Sequence, residues 1–216
     1  MYPEMMKEMA EDIMDYMFEK PYRCRTKDYF WLQEMRLAIN TVVNDEIEIS
    51  KLKDLSDSEN FFSAASKARA KETANGIIRR MNVVDDCFFS YFLSAPIEEQ
   101  KILNMIMIML EDRTVYEFMN EIYKEKLIKG ESIISDGEIL GFIHDIQGRD
   151  SNAAGWTDAS MKKWRTCMKG FMSDGGLATH EFRQMHIERP IMSQALIDFL
   201  KTEDYADIAN ILAGER

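Results

Sequence analysis

Apolar residues recur at three- and four-residue spacing along most of the chain, the period of a helix buried on one face. In residues 4–18, Met5, Met9, Ile13 and Met17 form one such stripe. Trp31, Leu32, Met35, Ala38, Ile39 and Val42 form the next, with Thr26 as the residue expected to cap that helix. The pattern then predicts a short acidic helix over residues 45–53, a polar loop LSDSEN and a long helix over residues 61–81.

Helix starts are more explicit in the second half. Ser94 and Pro96 predict a helix running to Leu110, since proline is tolerated where its missing N–H has no partner. Thr114 to Glu117 and Ser135 to Glu138 match the capping box, in which two side chains satisfy orphan backbone N–H groups reciprocally. Thr157 caps a further helix, with Trp156 placed to pack on Met161 as a hydrophobic staple, and Gly175-Gly176 ends it by adopting positive φ. Residues 177–189 read as a β-hairpin. Pro190 opens a helix to Leu200, and Thr202 opens a last one ending at Gly214.

The fold class expected is therefore all-α, a helical bundle with helix-turn-helix or winged-helix-like elements and at most one small β-hairpin. GRDSNAAG, residues 148–155, is the most flexible-looking internal connection. A two-part division near Ser94 would give an N-terminal helical domain, 1–93, containing the basic helix 61–81. The C-terminal helical domain, 94–216, would contain a winged-helix-like segment, 135–189.

Composition changes this picture little. The chain has 216 residues, 46% hydrophobic and 30% charged, which are globular proportions. The longest apolar runs, near residues 102–110 and 87–93, are broken by Asn104 and Ser90, and each reaches about half of a membrane span. The N-terminus is acidic and amphipathic, unlike a signal peptide. A cytoplasmic protein without membrane contact is expected. Cys24, Cys87 and Cys167 form no C-x-x-C pair and read as small buried thiols in a reducing compartment. Seventeen methionines read first as gap-filling core, although Met5, Met6, Met9, Met14 and Met17 would also suit a partner-binding groove.

Catalytic patterns are weak. His180 and His186 superficially match a zinc-protease motif, but a six-residue separation turns them about 240° apart on a helix. On a strand they would share a face without an evident third ligand. His144 reads as a core or edge histidine. Cys87 follows Asp85 and Asp86 in an apolar run, and both burial and acidic neighbours raise a thiol pKa. Phosphate-cradle and nucleophile-elbow motifs are absent from the sequence. The reading is of a non-enzyme with no metal and no cofactor.

Charge is more informative. The net charge is −11, yet it is unevenly placed. Residues 1–19 carry −5 and residues 44–60 carry −4, whereas residues 67–80 carry +4 and residues 161–173 carry +4. In the first basic island Ala70, Ala74, Ile77 and Met81 make an inward stripe, and Arg69, Arg79 and Arg80 are expected to point away from it. Gly76 is placed on that outer face, open to close approach by another backbone. In the second island Lys162, Arg165 and Lys169 fall within about 60° of one another, with Lys163 beside them and Trp164, Met168 and Phe171 facing a core. Arg183 and Arg189 would supply contacts from the hairpin. A charge run is ordinarily a solvated face. Here a helix, a loop, a basic helix and a hairpin follow in winged-helix order, in which the second helix enters the major groove of DNA.

Several stretches resemble the BrxA family, small proteins of BREX phage-exclusion systems. DRTVYEFMNEIYKEKLIKG carries Asp112, Arg113, Phe118, Glu121, Lys126 and Leu127 at the family's dispersed positions. GWTDASMKKWRTCMKGFMSDGGLA carries Trp156, Thr157, Gly176 and Leu177, and Arg189-Pro190 precedes a helix as in the family. Ile77, Arg79, Arg80 and Met81 resemble its first-half helix. The likeness covers roughly residues 29–212. It implies an all-helical protein with helix-turn-helix character, similar to the antitermination factor NusB, that binds double-stranded DNA alongside other BREX components. The run lengths conflict with the inner-membrane label that the family has carried.

The expected DNA-binding residues are Arg69, Arg79, Arg80, Lys162, Lys163, Arg165, Lys169 and Arg183, contacting mainly phosphates. The alternative is a scaffolding subunit of the defence complex that does not itself bind DNA, suggested by the overall acidity and the Met-rich first helix.

Overall fold

Helices follow one another along the chain in the computed structural model, which describes residues 13–203 and 205–215, with side chains from Tyr16 onward. They are α1 (Ile13–Glu19), α2 (Leu32–Asn44), α3 (Lys51–Glu59), α4 (Lys67–Met81), α5 (Asp86–Ser94) and α6 (Ile97–Glu111). Next comes a continuous helical stretch of α7 (Arg113–Phe118), a π-helical turn (Met119–Lys124) and α8 (Glu125–Lys129). Strand β1 (Ile133–Ser135) leads into α9 (Asp136–Arg149), a 3-10 turn (Ala153–Gly155) and α10 (Asp158–Asp174). Strands β2 (Ala178–Glu181) and β3 (Gln184–Ile187) precede α11 (Gln194–Thr202) and α12 (Ala206–Ala213). The protein is mainly α-helical with one small sheet. None of the described helices is long and apolar enough to cross a membrane.

The most apolar run of the sequence is the centre of the molecule. From Ile102 to Leu110 every residue of α6 is buried, including Asn104. Such a helix must be surrounded by others, and α6 packs against α2, α4, α5 and α7. The buried apolar residues form one contiguous cluster from Met17 to Leu212. The break at Ser94–Pro96 is a tight turn between packed helices α5 and α6. Met5, Met6 and Met9 lie outside the described residues, while Met17 is fully buried.

Several expected boundaries move. Thr26 caps nothing, because residues 20–31 run as a strap without regular secondary structure and α2 begins only after Trp31, which takes a left-handed backbone at φ 49°. LSDSEN is not a loop but the end of α3, and buried Ser56 donates to the carbonyl of Ala70. Ser66 caps α4, so that helix starts six residues later than the apolar pattern suggests. Asp112, not Thr114, caps α7. The Thr114 hydroxyl instead accepts from the amide of Arg23 in the strap, 2.9 Å away. Ser193 caps α11, and α12 begins at Ala206.

The loop over residues 148–155 is ordered by its own chemistry. The Asp150 carboxylate accepts from the amides of Asn152 and Ala153, each at 2.9 Å, and Ala153 is fully buried. The capping box at Ser135 and the Thr157 cap form as expected. Gly176 takes φ 71° after α10. The hairpin forms too, and β1 adds a third antiparallel strand in the order β1-β3-β2. Three residues are too few for an alternating pattern to reveal β1 in the sequence. Ile134, fully buried opposite Met185, anchors it.

Candidate nucleic-acid interface

Helix α10 is fixed by its apolar face. Met161, Trp164, Met168 and Met172 are buried. The Trp164 ring stacks on Phe142 of α9 with centroids 6.1 Å apart and meets Phe118 of α7 edge-on at 5.9 Å. Phe118 and Phe142 complete this triad at 5.4 Å. Three helices are thereby locked through one aromatic cluster, each ring contact adding about 0.5–1.5 kcal/mol beyond area burial.

The opposite face of α10 presents Ala159, Lys162, Lys163 and Thr166 to solvent. Two of its expected cations do otherwise. Lys169 is buried and its ammonium lies 2.7 Å from Asp136, the first residue of α9. Arg165 reaches the other oxygen of the same carboxylate at 3.2 Å. Spacing put these two on one face with Lys162 correctly. It could not show that this face borders the start of α9, where an acid sits.

Asp136 also fixes the hairpin. Its backbone amide donates to the carbonyl of Arg183 at 2.9 Å. One residue thus ties the hairpin apex to the middle of α10. Arg183 itself is exposed, with its guanidinium 5.0 Å from the ring of Phe182, which is 80% exposed. Arg189 lies beyond β3, six residues after Arg183, and a Cβ added at Gly214 would meet its guanidinium at 3.4 Å.

The first basic island is mostly structural. Arg80 is 1% exposed, a correction to its expected outward position. It donates to the carbonyl of Phe30 at 3.0 Å and of Tyr29 at 2.8 Å, between the rings of Trp31 and Phe171. Burial lowers its pKa to about 10. At 100° per residue Arg80 is only about 60° from Ile77, within the buried arc. Gly76 lies in that arc as well. A Cβ there would fall 2.2 Å from the Trp31 indole, so the close approach it permits is by the chain's own tryptophan. Arg79 is half-buried and pairs with Asp28 at 2.9 Å and Glu111 at 3.2 Å. Arg69 alone of the three is exposed, its guanidinium 5.7 Å from the Tyr29 ring.

These arginines hold the strap. A segment without regular secondary structure leaves carbonyls that need donors. Arg113 donates to the carbonyls of Phe18 and Lys20, Asn104 to that of Phe30, and Lys20 to that of Leu110. The Tyr22 hydroxyl donates to Glu117, which is 2% exposed and also takes Arg113 and Arg149. Arg25 pairs with Glu111 and, at 3.3 Å, with Asp112. Desolvation raises the Asp112 pKa to about 6, against the opposing pull of Arg25. Lys20 is pushed down to about 8, chiefly by burial.

The thiols divide. Cys87 is exposed, not buried as expected, while Cys24 and Cys167 are half-buried. Burial pushes the Cys24 thiol up to about 11 and raises that of Cys167, so neither is a ready nucleophile. Asp85, Cys87 and Glu203 bring one ligand atom each within 4.8 Å, at the rim of a shallow cleft lined by Tyr91 and Phe199. The Asp85 carboxylate is used there as the cap of α5, accepting from Phe88. His144 is exposed beside Gln147, and His186 sits 2.7 Å from Glu181.

A curated relative, the BREX protein BrxA of Bacillus cereus (strain H3081.97), is 26% identical over 191 residues, covering 88% of this chain and 94% of that one. A crystal structure of an uncharacterized protein from Magnetospirillum magneticum superposes with a TM-score of 0.77 at 9% identity, covering 91% of this chain and all of that one. That likeness concerns the fold alone. The BrxA family model matches residues 20–204, from the strap through α11, and the chain belongs to the BrxA family.

Proposed function

We propose that this protein is a double-stranded-DNA-binding, non-enzymatic component of a BREX phage-defence system. Family membership and the name of its B. cereus relative support the BREX assignment. The DNA reading rests on one observation: α10 is locked by Trp164 while Lys162, Lys163 and Thr166 face solvent beside a hairpin tied to it by Asp136.

Helix, strand, helix, helix and hairpin, with strand order β1-β3-β2, is the order of a winged helix. In helix-turn-helix proteins the second helix lies in the major groove and the flanking elements meet the backbone. Lys162 and Lys163 take phosphates or guanine edges, Arg183 takes backbone from the hairpin, and Arg69 adds a contact on α4. Arg79, Arg80, Arg165 and Lys169 have intramolecular roles and are withdrawn from the contact set.

Fluorescence anisotropy on a duplex, with Lys162→Glu and Lys163→Glu combined, tests this. Affinity falling at least tenfold supports the assignment; unchanged affinity sinks it. The competing reading is a scaffolding subunit that binds other BREX components and never touches DNA. It is favoured by the net charge of −11 and by Ile191, 91% exposed between the hairpin and α11. Unchanged affinity in the double variant, together with loss of a BREX partner on Ile191→Asp, would favour it.

A further inference from the structure

The apex of the hairpin departs from what a tight turn requires. Strands β2 and β3 are joined by two residues, Phe182 and Arg183, closed by the pair Glu181 and Gln184. Two-residue hairpin loops favour Gly, Asn or Asp, because their backbones need positive φ and their tips face water. Arg183 adopts φ 59° without being any of these. Phe182 leaves 80% of its surface in solvent, where a phenyl ring gains nothing. Neither residue is one that the turn geometry itself selects. Where a sequence breaks local rules at an exposed tip, the compensation comes from what the tip meets.

The apex is also held in place rather than swinging freely. The carbonyl of Arg183 accepts from the amide of Asp136, whose carboxylate holds Arg165 and Lys169 of α10. Glu181, the acid next to the apex in sequence, accepts from Gln184 and His186, each at 2.7 Å. Its carboxylate, though exposed, is thereby engaged along the sheet. What remains is an aromatic ring with a guanidinium 5.0 Å from its centroid.

We propose that Phe182 is a wedge that enters a base step of double-stranded DNA from the minor groove, with Arg183 on the groove wall. This rests on the DNA-binding reading above and extends it from phosphate contact to deformation. Apolar side chains inserted between base steps unstack them and kink the duplex by about 20–90°. The negative potential of a narrow minor groove attracts arginine. Glu181 stays on His186 and Gln184, away from the phosphates.

A duplex of about 30 base pairs carrying a fluorophore pair at its ends reports bending by energy transfer. The wild-type chain at saturation is expected to shorten the end-to-end distance. Phe182→Ala is expected to bind about tenfold more weakly and, at saturation, to leave the duplex straight, whereas Phe182→Trp retains the bend. Because residue 182 is exposed, all variants should keep the wild-type circular dichroism spectrum. Bending by Phe182→Ala equal to wild type, with binding still dependent on Lys162 and Lys163, overturns the wedge and leaves DNA binding standing. A wild-type chain that binds no duplex overturns both.

Discussion

Lys169 of α10 and Asp136 of α9 meet at 2.7 Å, although 33 positions separate them in sequence. This contact, and the bond from the Asp136 amide to Arg183, tie the candidate groove-reading helix to the hairpin apex.

Removing the acid should therefore cost stability and geometry together. Asp136→Asn leaves Lys169 charged and poorly solvated, since its side chain is 11% exposed. Breaking a fully buried pair costs about 3–5 kcal/mol, and partial exposure here brings the expectation to about 2 kcal/mol. Urea unfolding measures this. The double variant Asp136→Asn, Lys169→Met should recover much of the loss, because the charge left without its partner is then only the more exposed Arg165.

Arg80 is expected to matter for folding and not for DNA. Arg80→Ala strips donors from the carbonyls of Tyr29 and Phe30 and opens a void between Trp31 and Phe171, at about 3 kcal/mol. Gly76→Ala forces Trp31 from its seat and should cost about 1–3 kcal/mol by overpacking. Thermal unfolding of the two variants is the check. A neutral Gly76→Ala would mean the strap does not rest on α4 in solution.

Asp112 gives a pH dependence of definite sign. Its folded pKa, raised from 3.8 to about 6, means the folded chain holds this proton more tightly than the unfolded chain does. Stability from this group is present in acid and is lost as pH rises from about 4 to about 6. Asp112→Asn keeps a capping oxygen for α7 and removes the titration. Between pH 7 and pH 4.5, wild type should gain on this variant by on the order of 2 kcal/mol. Equal pH profiles in denaturant unfolding would contradict the assignment.

On the proposed DNA-binding function, salt dependence counts the cations that meet phosphate. The structure leaves Arg69, Lys162, Lys163 and Arg183 exposed among the eight residues first expected. At about 0.9 per phosphate, log K against log salt should have a slope of about −3 to −4. Arg79→Gln, whose guanidinium is held by Asp28 and Glu111, should leave that slope unchanged.

The residues on which the family likeness is read are mostly architectural. Asp112 caps α7, Arg113 holds the strap, Phe118 joins the aromatic triad, and Thr157 caps α10. Lys126 bridges Glu131 and Glu138 at 2.8 and 2.6 Å, and Gly176 supplies the left-handed turn. Such residues are visible in sequence because capping, turns and packing constrain residue type locally.

From sequence alone came the helical class, the α10 docking face, the caps at Ser135 and Thr157, the hairpin and the two basic islands. Each depends on spacing within one element, and helical period or side-chain chemistry determines it directly. Which cations stay free was decided only in three dimensions. Arg79, Arg80, Arg165 and Lys169 are indistinguishable from Lys162 or Arg69 by composition. They were drawn inward by Asp28, Asp136, Glu111 and the strap carbonyls, groups up to 51 residues away along the chain. A charge run records how many cations a helix carries, and only the packing of its neighbours determines how many of them face outward.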